Sequence, residues 1–135
     1  METLRARDVH AGDELPALDV PITTTLVVVA ALASRDFQDV HHDAELARAS
    51  GAKDVFMNIL TTNGFVGRFV TDWTGPDAVL KKVSIRLGAP NHPGDRMRMT
   101  GSVTRVEGAE IEIDVRGANS LGDHVMGTVT VELPR

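Results

Sequence analysis

The sequence predicts an α+β domain in which one antiparallel sheet wraps around a single long buried helix. Three observations predict it. The C-terminal half alternates apolar and polar residues with period two through four successive segments. Residues 56–73 return apolar side chains at helical spacings and carry few charges. The whole chain has 135 residues, the size of one domain.

The elements follow in order. Residues 1–20 are polar and punctuated by Pro16, with Pro21 just beyond, and read as an irregular arm or a short edge strand. Residues 22–33 are rich in Thr and Val and read as a strand. Their middle, from Leu26 on, is continuously apolar, which suggests burial on both faces. A charged loop follows, Arg35-Asp36-Phe37-Gln38-Asp39-Val40-His41-His42-Asp43. Asp43 is placed to cap a short helix that Gly51 stops. The long helix then carries Phe56, Ile59, Leu60, Val66, Phe69 and Val70 toward the core, and Gly75-Pro76 ends it. Gly64 and Gly67 within it suggest the close approach of another backbone.

Four strands come next. Val83, Ile85 and Leu87 alternate with Lys82, Ser84 and Arg86. Met97, Met99, Gly101 and Val103 alternate with arginine, serine and threonine. Ile111, Ile113 and Val115 follow the tight turn at Glu107-Gly108, and Val125, Gly127, Val129, Val131 and Leu133 form the last apolar face. A strand, a loop with a short helix, a long apolar helix and four strands make the hotdog arrangement, with residues 1–135 as one domain and residues 1–20 as its arm. A cystatin-like α+β fold is the alternative, but it normally places the long helix first. The free edge of a single hotdog sheet suggests that the chain works with a partner.

Composition removes several classes of function. The formal net charge of -5 argues against a nucleic-acid surface. The absence of cysteine excludes disulfides and thiolate chemistry and fits a reducing compartment. The longest apolar run is far shorter than the ~20 residues of a membrane helix. The charged N-terminus does not read as a secretory signal, and the expectation is a cytoplasmic protein.

The loop at residues 35–43 is the chemical candidate. It crowds three carboxylates and two imidazoles into nine residues. Asp36 and His41 lie five residues apart in a non-helical segment, where a turn can bring them to one point. Such a pair can take a proton from water and give one to carbon, as addition of water across an activated double bond requires. The N-terminus of the buried helix, near Met57 and Asn58, offers backbone N–H groups for the oxygen that becomes negative. The alternative for such a loop is a solvated or capping role. His41-His42-Asp43 lacks a second ligand cluster, His10, His92 and His124 are scattered, and no metal site is expected. The stretch from Asn119 to His124 reads as a hairpin turn, Trp73 as helix-end packing, and Arg86, Arg96 and Arg98 as strand faces that are solvated or that meet phosphates.

On these residues the chain resembles the MaoC-like, (R)-specific enoyl-CoA hydratase family, whose signature spaces an Asp and a His as in Asp-x-Asn-Pro-x-His. Asp36 and His41 match it, with Gln38 and Asp39 in place of Asn and Pro. The loop itself, Lys53-Asp-Val-Phe-Met-Asn-Ile-Leu-Thr61, Val70-Thr-Asp-Trp-Thr-Gly-Pro76 and Asn119-Ser-Leu-Gly-Asp-His-Val125 look like the branch formed by small subunits of heteromeric steroid side-chain enoyl-CoA hydratases. The resemblance implies a catalytic Asp36 and His41 and a steroid enoyl-CoA substrate with a three-carbon side chain. It implies no cofactor, because coenzyme A belongs to the substrate. It also implies a larger MaoC-like partner that completes the site, and an aldolase docked on that partner. Asn58 stands where the family has a Gly whose N–H binds the thioester oxygen. Val66 stands where the family often has a Ser supporting the Asp, which leaves Asn63 as the candidate support. A hotdog thioesterase and a non-catalytic partner hotdog are the competing readings.

Overall fold

The computed structural model describes all 135 residues. Five strands form one antiparallel sheet: β1 (Leu18–Pro21), β2 (Val79–Leu87), β3 (Arg96–Glu107), β4 (Glu110–Asn119) and β5 (Gly122–Glu132), in the order β1-β3-β4-β5-β2. The alternation expected for the C-terminal half sets the register. Ile113 lies opposite Val103 on one side and Val129 on the other, so one face of three strands becomes continuous core. Helix α3 (Ile59–Thr74) lies in that concave face. Its Val66, Phe69 and Val70 are buried with Met97, Met99, Ile111, Val115, Val125 and Val131 in one cluster. No helix is long and apolar enough to cross a membrane.

Helix α3 starts three residues later than the periodicity suggests. Asn58 caps it, accepting from the Thr61 N–H at 3.1 Å, so Phe56 precedes the helix. Ile59 and Leu60 fall on its outer side and are about half exposed. The glycine expectation is corrected as well. A side chain at Gly64 would meet nothing within 4 Å, and one at Gly67 would make only an ordinary contact with Leu80. The close approaches are in the sheet instead, where Phe69 packs directly over Gly101.

The main correction concerns residues 22–33. They form not a strand but helix α1 (Thr24–Ala33), and the strand of this part of the fold is β1, four residues earlier on the sheet edge, where Pro21 is tolerated. A continuous apolar run has no period to separate strand from helix. The deciding local features are the Thr23 cap, whose hydroxyl accepts from the Leu26 N–H at 3.0 Å, and the alanines at positions 30, 31 and 33. Only Val27 and Ala31, one turn apart, are buried; Val29 and Leu32 face outward.

Helix α1 ends in a Schellman motif. The Arg35 N–H donates to the Leu32 carbonyl and the Asp36 N–H to the Ala31 carbonyl at 2.9 Å. Arg35 takes the left-handed position at φ 58°, the only non-glycine residue with positive φ. The N-terminal arm is irregular but docked: the Leu4 N–H reaches the Thr74 carbonyl, the Leu15 N–H reaches Gly101, and Ala6, Val9 and Leu15 join the core. Strand β2 pairs only with β5 and is the second edge.

Candidate active site

The two ends of the loop at residues 35–43 are fixed by different elements. The Schellman motif of α1 sets Asp36, and a short 3-10 turn (Asp39–His41) delivers His41. The His41 Nε2 and Asp36 Oδ2 lie 3.2 Å apart. The other ring nitrogen, Nδ1, is 2.7 Å from the Phe56 carbonyl oxygen. A carbonyl only accepts, so Nδ1 carries a proton and Nε2 is the nitrogen that exchanges one with Asp36. His41 is buried, and its ring meets Phe56 edge-on. Asp36 keeps part of its side chain open to solvent.

Asn58 closes the site from the start of α3. Its amide Nδ2–H donates to Asp36 Oδ2 at 3.2 Å and to Ser34 Oγ at 2.9 Å. That amide hydrogen bond holds the Asp36 carboxyl below its usual range, against the opposing effect of burial, with the Gln38 N–H and the His41 charge adding to it. Asp36 is therefore a carboxylate at neutral pH. The Asn58 backbone N–H has no backbone acceptor and lies at the positive end of the α3 dipole. The support for Asp36 comes from this residue and not from Asn63, whose side chain makes no hydrogen bond. Ser34 and Thr61 belong to the same network and were not expected from the sequence.

The remaining candidates separate. Asp43 caps helix α2 (Ala44–Ala49) through the Leu46 N–H, and the exposed His42 donates to the Phe37 carbonyl, so neither joins His41 at one point. His92 Nδ1 donates to the Val55 carbonyl at 2.9 Å, and the Met57 N–H donates to Asn91 O, which clamps the segment entering α3. Arg98 pairs with Asp19 across the β1–β3 edge, and Arg86 and Arg96 are exposed. A concavity of about 940 Å³ lies on the solvent face of the sheet against Arg86, Arg98 and Arg116, away from Asp36 and His41. A second groove, about 430 Å³, runs between α1 and α3 past Leu26, Ala30, Ala33, Leu60 and Phe65 and reaches Ser34 and Thr61.

His124 secures α3 from below. Its Nδ1 donates to the Ala89 carbonyl at 2.7 Å, so Nε2 accepts from the Thr62 hydroxyl at 2.8 Å. Burial pushes this imidazole below its ordinary range. Unfolded, the ring takes a proton near pH 6.5; folded, it takes one only at lower pH. Stability contributed here is thus lost as pH falls below about 6.5, until the folded ring also titrates. Thermal unfolding midpoints at pH 7 and pH 5.5 are expected to differ more for the unmodified chain than for His124→Asn. Equal differences would remove this role.

Residues 9–124 match the model of the MaoC like domain. The chain belongs to the MaoC-like family. Among MaoC-like relatives, the 3-oxo-4,17-pregnadiene-20-carboxyl-CoA hydratase beta subunit of Mycobacterium tuberculosis is 51% identical over 122 residues, covering 90% of this chain and 93% of that one. A chain in the crystal structure of the ChsH1-ChsH2 complex from Mycobacterium tuberculosis superposes with a TM-score of 0.91 at 48% identity, covering 92% of this chain and 98% of that one. The unliganded R-hydratase PhaJ1 from Pseudomonas aeruginosa superposes with a TM-score of 0.89 at 18% identity, covering 98% and 87%, and shares the fold. The hotdog expectation therefore holds, with its first strand and first helix reassigned.

Proposed function

We propose that this chain is the catalytic subunit of an enoyl-CoA hydratase. It adds water to the side-chain double bond of a steroid enoyl-CoA with a three-carbon side chain, in complex with a larger MaoC-like subunit. The observation that carries the reading is the Asp36–His41 pair, 3.2 Å apart beside the free Asn58 N–H at the start of α3. The identity to a hydratase beta subunit supports the substrate class.

The chemistry follows from the geometry. Water hydrogen-bonds to both residues from the open side of their contact, and Asp36 takes one of its protons as the water oxygen bonds to the β-carbon. The double-bond electrons move toward the thioester carbonyl, whose oxygen the Asn58 N–H holds. His41 Nε2–H then gives a proton to the α-carbon, and the proton on Asp36 crosses the 3.2 Å contact to restore the ring. One hydrogen and one hydroxyl have been added, and both residues return to their starting states. The α1–α3 groove, which opens at Ser34 and Thr61, takes the acyl group, and its open side is completed by the partner. Leu60 in its lining, and Val29, Leu32 and Ile59 on the same two helices, are exposed and supply apolar surface for that contact.

A thioesterase would use the carboxylate and the helix N-terminus without needing His41. The test is to co-express the chain with its larger subunit and supply a steroid enoyl-CoA. Loss of enoyl-thioester absorbance without release of free thiol is expected. Thiol release from saturated acyl-CoA, with no hydration, would overturn the reading.

A further inference from the structure

Asn58 is 2% exposed and its side chain is fully engaged. Oδ1 accepts from the Thr61 N–H and the Thr61 hydroxyl. The two Nδ2 hydrogens go to Ser34 Oγ and Asp36 Oδ2. Ser34 in turn lies 2.8 Å from the Ala30 carbonyl and 3.0 Å from the Ala31 carbonyl. Carbonyls only accept, so the single Ser34 hydroxyl hydrogen points at the end of α1 and its oxygen is left to accept from Asn58. The polarity of the whole chain is thereby fixed, from the α1 carbonyls through Ser34 and Asn58 to Asp36. An amide flip would set Oδ1 against the Asp36 carboxylate and Nδ2 against the Thr61 N–H, two repulsive contacts in a buried place.

We infer that Ser34 is a positioning residue for the hydration reaction: its hydroxyl orients the Asn58 amide, and that amide holds the Asp36 carboxylate against the His41 ring. The inference rests on the hydratase reading for its chemistry, but not for its geometry. Asn58 then has two separate duties, a side chain turned to Asp36 and a backbone N–H turned to substrate.

A Ser34 that merely finishes α1 would make a different prediction from one that orients an amide. Ser34→Ala, Ser34→Thr and Asn58→Asp are compared in the assembled complex. Asn58→Asp keeps the α3 cap and the backbone N–H but sets a second carboxylate against Asp36. Ser34→Ala is expected to lower kcat about tenfold with little change in KM, and to move the acid limb of the kcat profile to higher pH. Ser34→Thr is expected to restore both. Asn58→Asp is expected to move the same limb farther, to cost about 100-fold in kcat and to lower the unfolding midpoint through the buried carboxylate pair. An unchanged kcat and pH profile in Ser34→Ala would overturn the inference, whatever happens to its thermal stability. Carbon-13 titration of the Asp36 carboxyl separates the two readings. A midpoint raised in Ser34→Ala, in a complex that does not hydrate enoyl-CoA, overturns the reaction and leaves the orienting role standing. An unmoved midpoint in a complex that does hydrate overturns the orienting role alone.

Discussion

Asp36→Asn in the assembled hydratase is expected to lower kcat by about 10³–10⁴-fold, with assembly and folding unchanged. The substitution is nearly isosteric and keeps an oxygen for the Asn58 amide, so the network of α1 and α3 survives. What is lost is the group that accepts the proton of water. His41→Ala is expected to fall as far, because it removes the proton donor for the α-carbon and releases the Phe56 carbonyl that its ring now holds. The two losses should not add. Each residue acts through the proton exchanged across their contact, so the double variant should resemble either single one. Steady-state hydration rates, with gel filtration to confirm the complex, check this. Near-normal turnover in both single variants would sink the assignment.

The second large effect is structural. At Gly127 a Cβ would lie 2.1 Å from the Ser84 carbonyl oxygen and 2.8 Å from the Ile85 Cα, both in the backbone of β2. Nothing flexible can move aside. Because β2 pairs only with β5, relief requires the β2 backbone at Ser84 and Ile85 to move away from β5 and break its ladder there. Gly127→Ala is expected to cost about 3 kcal/mol or more, a large share of ordinary domain stability. Gly127→Val should prevent accumulation of folded protein. Gly64→Ala is the matched control: its Cβ meets nothing, and helix propensity should raise stability by about 0.5–1 kcal/mol. Urea unfolding of the two alanine variants measures both, and equal stability would overturn the argument.

The sheet and the meeting of Asp36 with His41 were legible in the sequence because both are written over short distances. Period two announces β2 to β5, Gly108 announces the β3–β4 turn, and Asp36 and His41 stand within one loop. The support of Asp36 was not legible, and the reason lies in α1. With residues 22–33 taken as a strand, Ser34 looks like an ordinary loop residue, and nothing suggests that carbonyls of a helix end orient its hydroxyl. Asn58 and Asp36 are 22 positions apart, and their contact exists only once α1 and α3 are both helices placed side by side. The capping Thr23 and the run of alanines were the available signals. The resemblance points to Asn63, one helical turn before Val66, but the contact comes from Asn58, the residue that caps the helix.

The Schellman end of α1 also decides how activity is lost on heating. Helix α1 rests on the rest of the molecule through only two fully buried side chains, Val27 and Ala31, and its last turn ends in the backbone of Asp36. Opening that turn costs far less than unfolding the sheet. Inactivation is therefore expected to begin as a local event, below the melting temperature of the domain. A subunit covering the outer side of α1 would raise the temperature at which that event begins without touching the catalytic pair.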